Sequence, residues 1–110
     1  MASETRVRVT ASSGNVFADM GLPDAAELDT KARLGAAINR IVERRKLTQV
    51  EVAAALGINQ PKVSALLHYK LEGFSVERLM RFLVALGQDV EIVVKAKPRS
   101  RSGRIAVLAA

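Results

Sequence analysis

Between Thr48 and Tyr69 the apolar positions recur at helical spacing in two short runs, TQVEVAAAL and INQPKVSALLHY, separated by a single glycine. That pattern predicts two short helices joined by a tight turn. Thr48 stands where a cap is needed, and Glu51 follows three residues on, the reciprocal arrangement of a capping box. Gln49 falls in the first turn, and Ala53 is small where a second helix would cross closely. Gly57 supplies the left-handed backbone that ends a helix without a β-carbon penalty. Ile58 is then placed to turn inward, Asn59 to cap the next helix, and Pro61 to occupy a first turn where a missing amide matters little. Val63, Leu66 and Leu67 share the inner face of that second helix. Its other face carries Gln60, Pro61, Lys62, Ser64, Ala65 and His68, which are polar or small and include no acid.

The flanking pattern predicts more helix. Pro23 opens a helix with Asp24 and Glu27 favourably near its N-terminus, running to about Lys46 with Leu28, Leu34, Ile38, Ile41 and Val42 inside. Arg44, Arg45 and Lys46 close it, where cations complement the helix dipole or meet an anionic partner. After a break at residues 71–74, with Phe74 in the core, Ser75 caps a further helix whose inner side holds Val76, Leu79, Met80, Leu83 and Leu86 and which Gly87 ends. Residues 89–95 switch to period two, with Val90, Ile92 and Val94 on one face, the mark of a half-buried strand. Residues 98–103 form a basic, turn-rich loop; residues 104–108 either return as a second strand of a hairpin or trail as a tail. At the front, Thr5 to Thr10 alternate as a short strand would, residues 11–15 are polar and flexible, and Phe17, Met20 and Leu22 make an apolar cluster. The expected division is an acidic, polar segment at 1–22, a helix-turn-helix unit at 23–88 and a β-strand or hairpin with its tail at 89–110. A lone strand or hairpin is marginal in water. Its economical partner is the same strand of a second copy, giving a two-fold dimer through Val90, Ile92 and Val94, or else an edge kept for a different protein.

Charge adds a partner class. The 110 residues carry a net charge of +6, but residues 1–30 set Arg6 and Arg8 against five carboxylates, a net of −3, so the remainder holds +9. A basic body suits phosphates through counterion release, and double-stranded DNA is the expected partner. With no cysteine and only His68, neither a disulfide framework nor a metal site is expected. No phosphate loop, nucleophile with a partnering base or isolated carboxylate pair is present, so no enzyme activity and no cofactor are expected. No signal-peptide core and no membrane-length apolar run appears, which predicts a cytoplasmic protein with no membrane partner.

Gln49, Ala53, Gly57, Val63 and Leu66 fall at the marker positions of the helix-turn-helix in lambdoid phage repressors and their xenobiotic-response-element (XRE) relatives. The chain resembles that XRE/Cro-type family, which implies a mainly α, lambda-repressor-like helical bundle with a C-terminal strand used in dimerisation. From Gly14 to Lys95 it also resembles the HigA-type antitoxins that accompany RelE/HigB-like toxins. That likeness implies a homodimer that binds a palindromic operator, represses its own operon and sequesters an mRNA-cleaving toxin. A stand-alone regulator without a toxin shares every DNA-binding residue, and an adaptor that uses the fold without DNA is the third class. Carried over by position, the resemblance brings Gln60, Pro61, Lys62 and Ala65 to base edges, Gln60 suiting adenine and Lys62 guanine. Pro61 departs from the usual polar residue and offers only apolar contact, as to a thymine methyl. Gln49, Asn59, Ser64, Tyr69, Lys70, Ser75 and Arg78 are placed for phosphate oxygens. Simpler roles compete for some of them: a cap for Asn59, a cover over the core edge for the Tyr69 ring, and an exposed rim position for His68.

Overall fold

The computed structural model describes residues 4–6 and 24–109. In chain order these form β1 (Glu4–Arg6), α1 (Asp24–Arg45), α2 (Gln49–Leu56), α3 (Gln60–Leu67), α4 (Val76–Ala85) and β2 (Val93–Lys95). The mainly α bundle and its helix boundaries follow the expectation closely. The expected cluster of Phe17, Met20 and Leu22 and the polar run at 11–15 lie outside the described residues.

Each of these four helices ends in the same way. Lys46, Gly57, Tyr69 and Gly87 adopt left-handed backbone, with φ of 54°, 68°, 61° and 83°. The next amide in each case reaches back into the last turn: Leu47 to the Val42 carbonyl at 3.0 Å, Ile58 to Ala53 at 3.2 Å, Lys70 to Ala65 at 2.8 Å and Gln88 to Leu83 at 3.0 Å. Those bonds satisfy carbonyls that a helix end leaves orphaned. Glycine adopts this conformation freely, whereas a side chain there costs about 1–2 kcal/mol. The two glycine stops were visible in the sequence; Lys46 and Tyr69 were not.

Ile38 of α1, Val52 of α2, Val63 and Leu66 of α3 and Leu79 of α4 are completely buried, so all four helices share one centre. Around it lie Leu34, Ile41, Val42, Leu71, Phe74, Val76, Leu83 and Leu86, with Phe82, an inner residue the spacing argument passed over. α1 packs mainly along α4, and α2 mainly against α3. Leu28, expected inside, is 56% exposed. At 100° per residue it falls about 95° from the centre of the Leu34–Ile38–Ile41–Val42 stripe. Thr30 and Lys31 lie on that stripe and are buried in its place, the Thr30 hydroxyl donating to the Ala26 carbonyl at 3.0 Å. Gly35 has a packing role as well: a β-carbon there would sit 3.2 Å from Leu71 Cδ1 and 3.6 Å from the Tyr69 ring, so the link between α3 and α4 crosses α1 at a glycine.

The β structure departs most from expectation. β2 is three residues long, not seven, and all three are exposed, so it is no half-buried strand. Ile92 precedes it half-buried, as does Val90, which packs on the core; Val94 is 51% exposed. Its partner is β1, antiparallel, with Glu4 opposite Lys95, Thr5 opposite Val94 and Arg6 opposite Val93. The alternating front tract therefore does make a strand over the part described, and it occupies one edge of β2. Residues 104–108 form no strand; Val107 instead packs against the helical core. A period-two pattern marks extended backbone but not which segment pairs with it, and here pairing across nearly the whole chain prevails over the local hairpin. Among the described residues no helix is long and apolar enough to cross a membrane.

Gly57 is at φ 68°, and a β-carbon added there would meet nothing within 4 Å. Gly57→Ala therefore introduces only conformational strain, and we expect it to lower unfolding free energy by about 1–2 kcal/mol. Urea denaturation checks this; a change below about 0.3 kcal/mol would contradict the left-handed geometry.

Candidate nucleic-acid interface

The interface is built on two caps and one turn. Thr48 and Glu51 close the capping box at the start of α2, the Thr48 amide donating to Glu51 Oε1 at 2.8 Å and the Glu51 amide to Thr48 Oγ1 at 3.2 Å. Gly57 and Ile58 turn the chain, and Asn59, extended at φ −80° and ψ 166°, caps α3 by accepting the Lys62 amide on Oδ1 at 3.0 Å. Val63 and Leu66 are locked in the core, which fixes the rotation of α3 about its axis. The outward face is then Gln60, Pro61, Lys62 and His68, all exposed, with Ser64 and Ala65 half-buried beside them. There is no acid in the first turn of α3.

The structure gathers Asn59, Pro61, Lys62, Ala65 and Lys70 around one shallow open depression, together with Gly73 and Phe74. Three of the four residues assigned to base edges thus lie together, and Gln60 is exposed at the start of the same helix. Gly73 and Phe74 were not foreseen as part of this surface; Phe74 is both a core residue and a wall of the depression. The lining includes two lysines and no carboxylate, so its field favours an anion.

The remaining candidates divide by what already occupies them. Gln49 is exposed at the first position of α2. Asn59 uses its side-chain carbonyl oxygen as the cap, which leaves its NH2 group as a donor. His68 Nδ1 lies 2.7 Å from the Ser64 carbonyl, and since a carbonyl only accepts, that nitrogen carries the proton. The ring is thereby tied to the end of α3, the rim position expected of it. The Tyr69 ring lies against α1 at Gly35 while the residue stays 49% exposed, so it covers the core edge and still reaches solvent.

At the start of α4 the setting is less favourable to anions. Ser75 Oγ accepts the Arg78 amide at 3.1 Å, and the Arg78 guanidinium lies 5.6 Å from the Phe74 ring centre and 5.5 Å from that of Phe82. The two rings meet edge to face at 5.7 Å, so Arg78 is held over an aromatic pair, a cation–π arrangement. Glu77 stands in the same first turn and pairs with Arg81 at 3.7 Å. Ser75 and Arg78 thus sit beside a carboxylate, unlike the residues at the start of α3.

A family model described as a helix-turn-helix domain matches residues 16–95. Among solved structures, a protein named as an XRE family transcriptional regulator is 64% identical; the alignment covers 80% of this chain and 100% of that one, with a TM-score of 0.77. No curated protein matches the chain. The chain belongs to the XRE helix-turn-helix family.

Asn59→Asp separates the two roles of that residue. Aspartate caps a helix as well as asparagine does, so unfolding free energy should stay within about 0.5 kcal/mol of the parent. Duplex DNA affinity should nevertheless fall, because the NH2 donor is replaced by an anion. Equal affinity in fluorescence anisotropy at fixed salt would assign Asn59 to capping alone.

Proposed function

We propose that this protein is a sequence-specific DNA-binding transcriptional regulator that inserts α3 into the major groove. The observation that carries the reading is the outward face of α3: acid-free, led by Gln60 and Lys62, and held in orientation by two fully buried residues on the opposite side. In this reading Gln60 pairs with adenine, Lys62 donates to guanine acceptors, and Pro61 and Ala65 make close apolar contact with base edges. Gln49, Asn59, Ser64, Tyr69 and Lys70 hold the phosphates that set register, with Ser75 and Arg78 at the periphery.

The acting form we propose is a cytoplasmic homodimer on a palindromic operator, its two α3 helices about one DNA turn, roughly 34 Å, apart. The second edge of β2 and the side chains of Val90, Ile92 and Val94 are the proposed contact between copies. Functionally the chain then divides into the front segment 1–22, the DNA-binding unit 23–88 and the dimerising segment 89–110. The finer proposal is an antitoxin that represses its own operon and neutralises a RelE/HigB-like toxin. It is supported by the resemblance over Gly14 to Lys95 and by an acidic front end suited to a small basic protein. A toxin-free regulator of the same family is the competing reading.

On a duplex selected from random sequence by the intact protein, Lys62→Ala should weaken binding by about 1–3 kcal/mol with the fold unchanged; undiminished affinity would remove Lys62 from the interface. Co-expression with the product of the adjacent reading frame should yield a co-purifying small basic protein whose ribonuclease activity is suppressed. Separate elution of the two would leave the regulator without the antitoxin role.

A further inference from the structure

One strongly charged element plays no part in the α3 interface. Residues 91–106 form a loop pinned at both ends, since Val90 before it and Val107 after it pack on the helical core. It is therefore a loop that returns to the body and not a trailing end. Beyond β2 it carries Lys97, Arg99, Arg101 and Arg104, all exposed, and residues 92–110 contain no acid at all. A turn shapes it, the Arg101 amide reaching the Pro98 carbonyl at 3.5 Å while Arg101 Nη1 donates to the neighbouring Ser102 carbonyl at 3.1 Å. Two arginines elsewhere pair with carboxylates, Arg33 with Asp29 at 2.9 Å and Arg81 with Glu77 at 3.7 Å. Among the described residues, none of the four loop cations pairs with one.

Four like charges held within eight residues repel one another, and a loop tied at both ends spreads them less than a free chain would. An external polyanion relieves that repulsion. The loop's composition selects among polyanions. It has no aromatic residue on which unpaired bases could stack, the feature that single-strand binders use. It has no large apolar residue from 95 to 104 that could anchor in a membrane. Arginine and lysine, with small Ser100, Ser102 and Gly103 between them, suit the phosphates and narrow minor groove of a duplex.

We propose that the loop of Lys97, Arg99, Arg101 and Arg104 is a second DNA-contact element, gripping duplex backbone outside the bases read by α3. The inference rests on the DNA-binding reading and adds to it an element that contributes affinity and footprint length without base choice.

The test compares the full chain with a variant in which Lys97, Arg99, Arg101 and Arg104 are all alanine. All four side chains are exposed, and matching thermal melts establish that the variant folds. The probes are the selected duplex with long flanks and a mixed-sequence duplex of equal length. Each neutralised phosphate contributes about 0.9 to the slope of log affinity against log salt, so losing four should flatten it by about 3–4. Between 50 and 200 mM salt the parent's advantage should therefore shrink roughly 100-fold. Hydroxyl-radical protection should also retreat from the flanks while central protection and sequence preference persist. If the intact protein binds no duplex, the DNA-binding reading fails and takes this inference with it. If it binds, and the variant keeps the parent's slope and flank protection, only the loop assignment is overturned. A flatter slope with unchanged flank protection would also overturn it, showing a long-range field and no contact. Unchanged DNA behaviour with loss of a co-purifying protein would assign the loop to a protein partner instead.

Discussion

An eight-residue helix does not hold its shape alone in water, because helix nucleation is costly and isolated helices shorter than about 12–15 residues are marginal. α3 has that length, and everything proposed for this protein depends on its presenting one face in one orientation. Three things outside its own hydrogen bonds fix it. Val63 and Leu66 are wholly buried, and removing a buried leucine's side chain typically costs about 2–5 kcal/mol, far more than an eight-residue helix contributes by propensity. Asn59 satisfies an amide at one end, and the left-handed turn at Tyr69 satisfies carbonyls at the other. The strain at Tyr69 is balanced by its ring, which lies on α1 where Gly35 leaves room. Glycine at 35 and tyrosine at 69 are thus one device, and the outer face of α3 is a consequence of packing beneath it.

That dependence explains which parts were legible in the sequence. Caps and glycine stops are local: Thr48 with Glu51, Asn59, Gly57 and Ser75 each act within a few residues, and each stands where the sequence placed it. The inner residues of α3 follow from period alone. Leu28 shows that period must be applied with its phase, since the angle that puts Thr30 and Lys31 inside puts Leu28 out. The Gly35–Tyr69 contact joins residues far apart in sequence, and no local pattern marks it. The strand fails for the same reason. Val90, Ile92 and Val94 alternate correctly, but alternation does not reveal whether a face will be covered, and Val94 is exposed while Val90 packs on the core outside the strand. The candidate site was legible in its helix, while its wall at Gly73 and Phe74 and the aromatic seat of Arg78 needed the fold.

The β1–β2 ribbon joins the two ends of the sequence with three residue pairs, which is too few to be stable by itself. Closing so long a loop costs entropy that three pairs alone do not offset. A second copy paired along the other edge of β2, as proposed, would convert two strands to four and add burial. A short ribbon of this kind is compatible with the proposed dimer.

The start of α3 also limits how this protein can hold DNA. A helix N-terminus usually offers phosphate several backbone amides. Here Pro61 has none, the Lys62 amide is taken by Asn59, and the Val63 amide already bonds to the Asn59 carbonyl at 3.1 Å. Only Gln60 keeps its amide for an outside acceptor among the leading residues of the helix. Backbone capture of a phosphate at this end is thus nearly exhausted, and in the proposed reading the work passes to side chains: the Asn59 NH2, Lys62 and Lys70 around the depression. Side chains are longer and more mobile than amides, so they position a duplex less tightly. A protein that has given up backbone anchoring at its reading helix gains most from cations held elsewhere on the scaffold, and the loop between Val90 and Val107 is one element of the fold that has them.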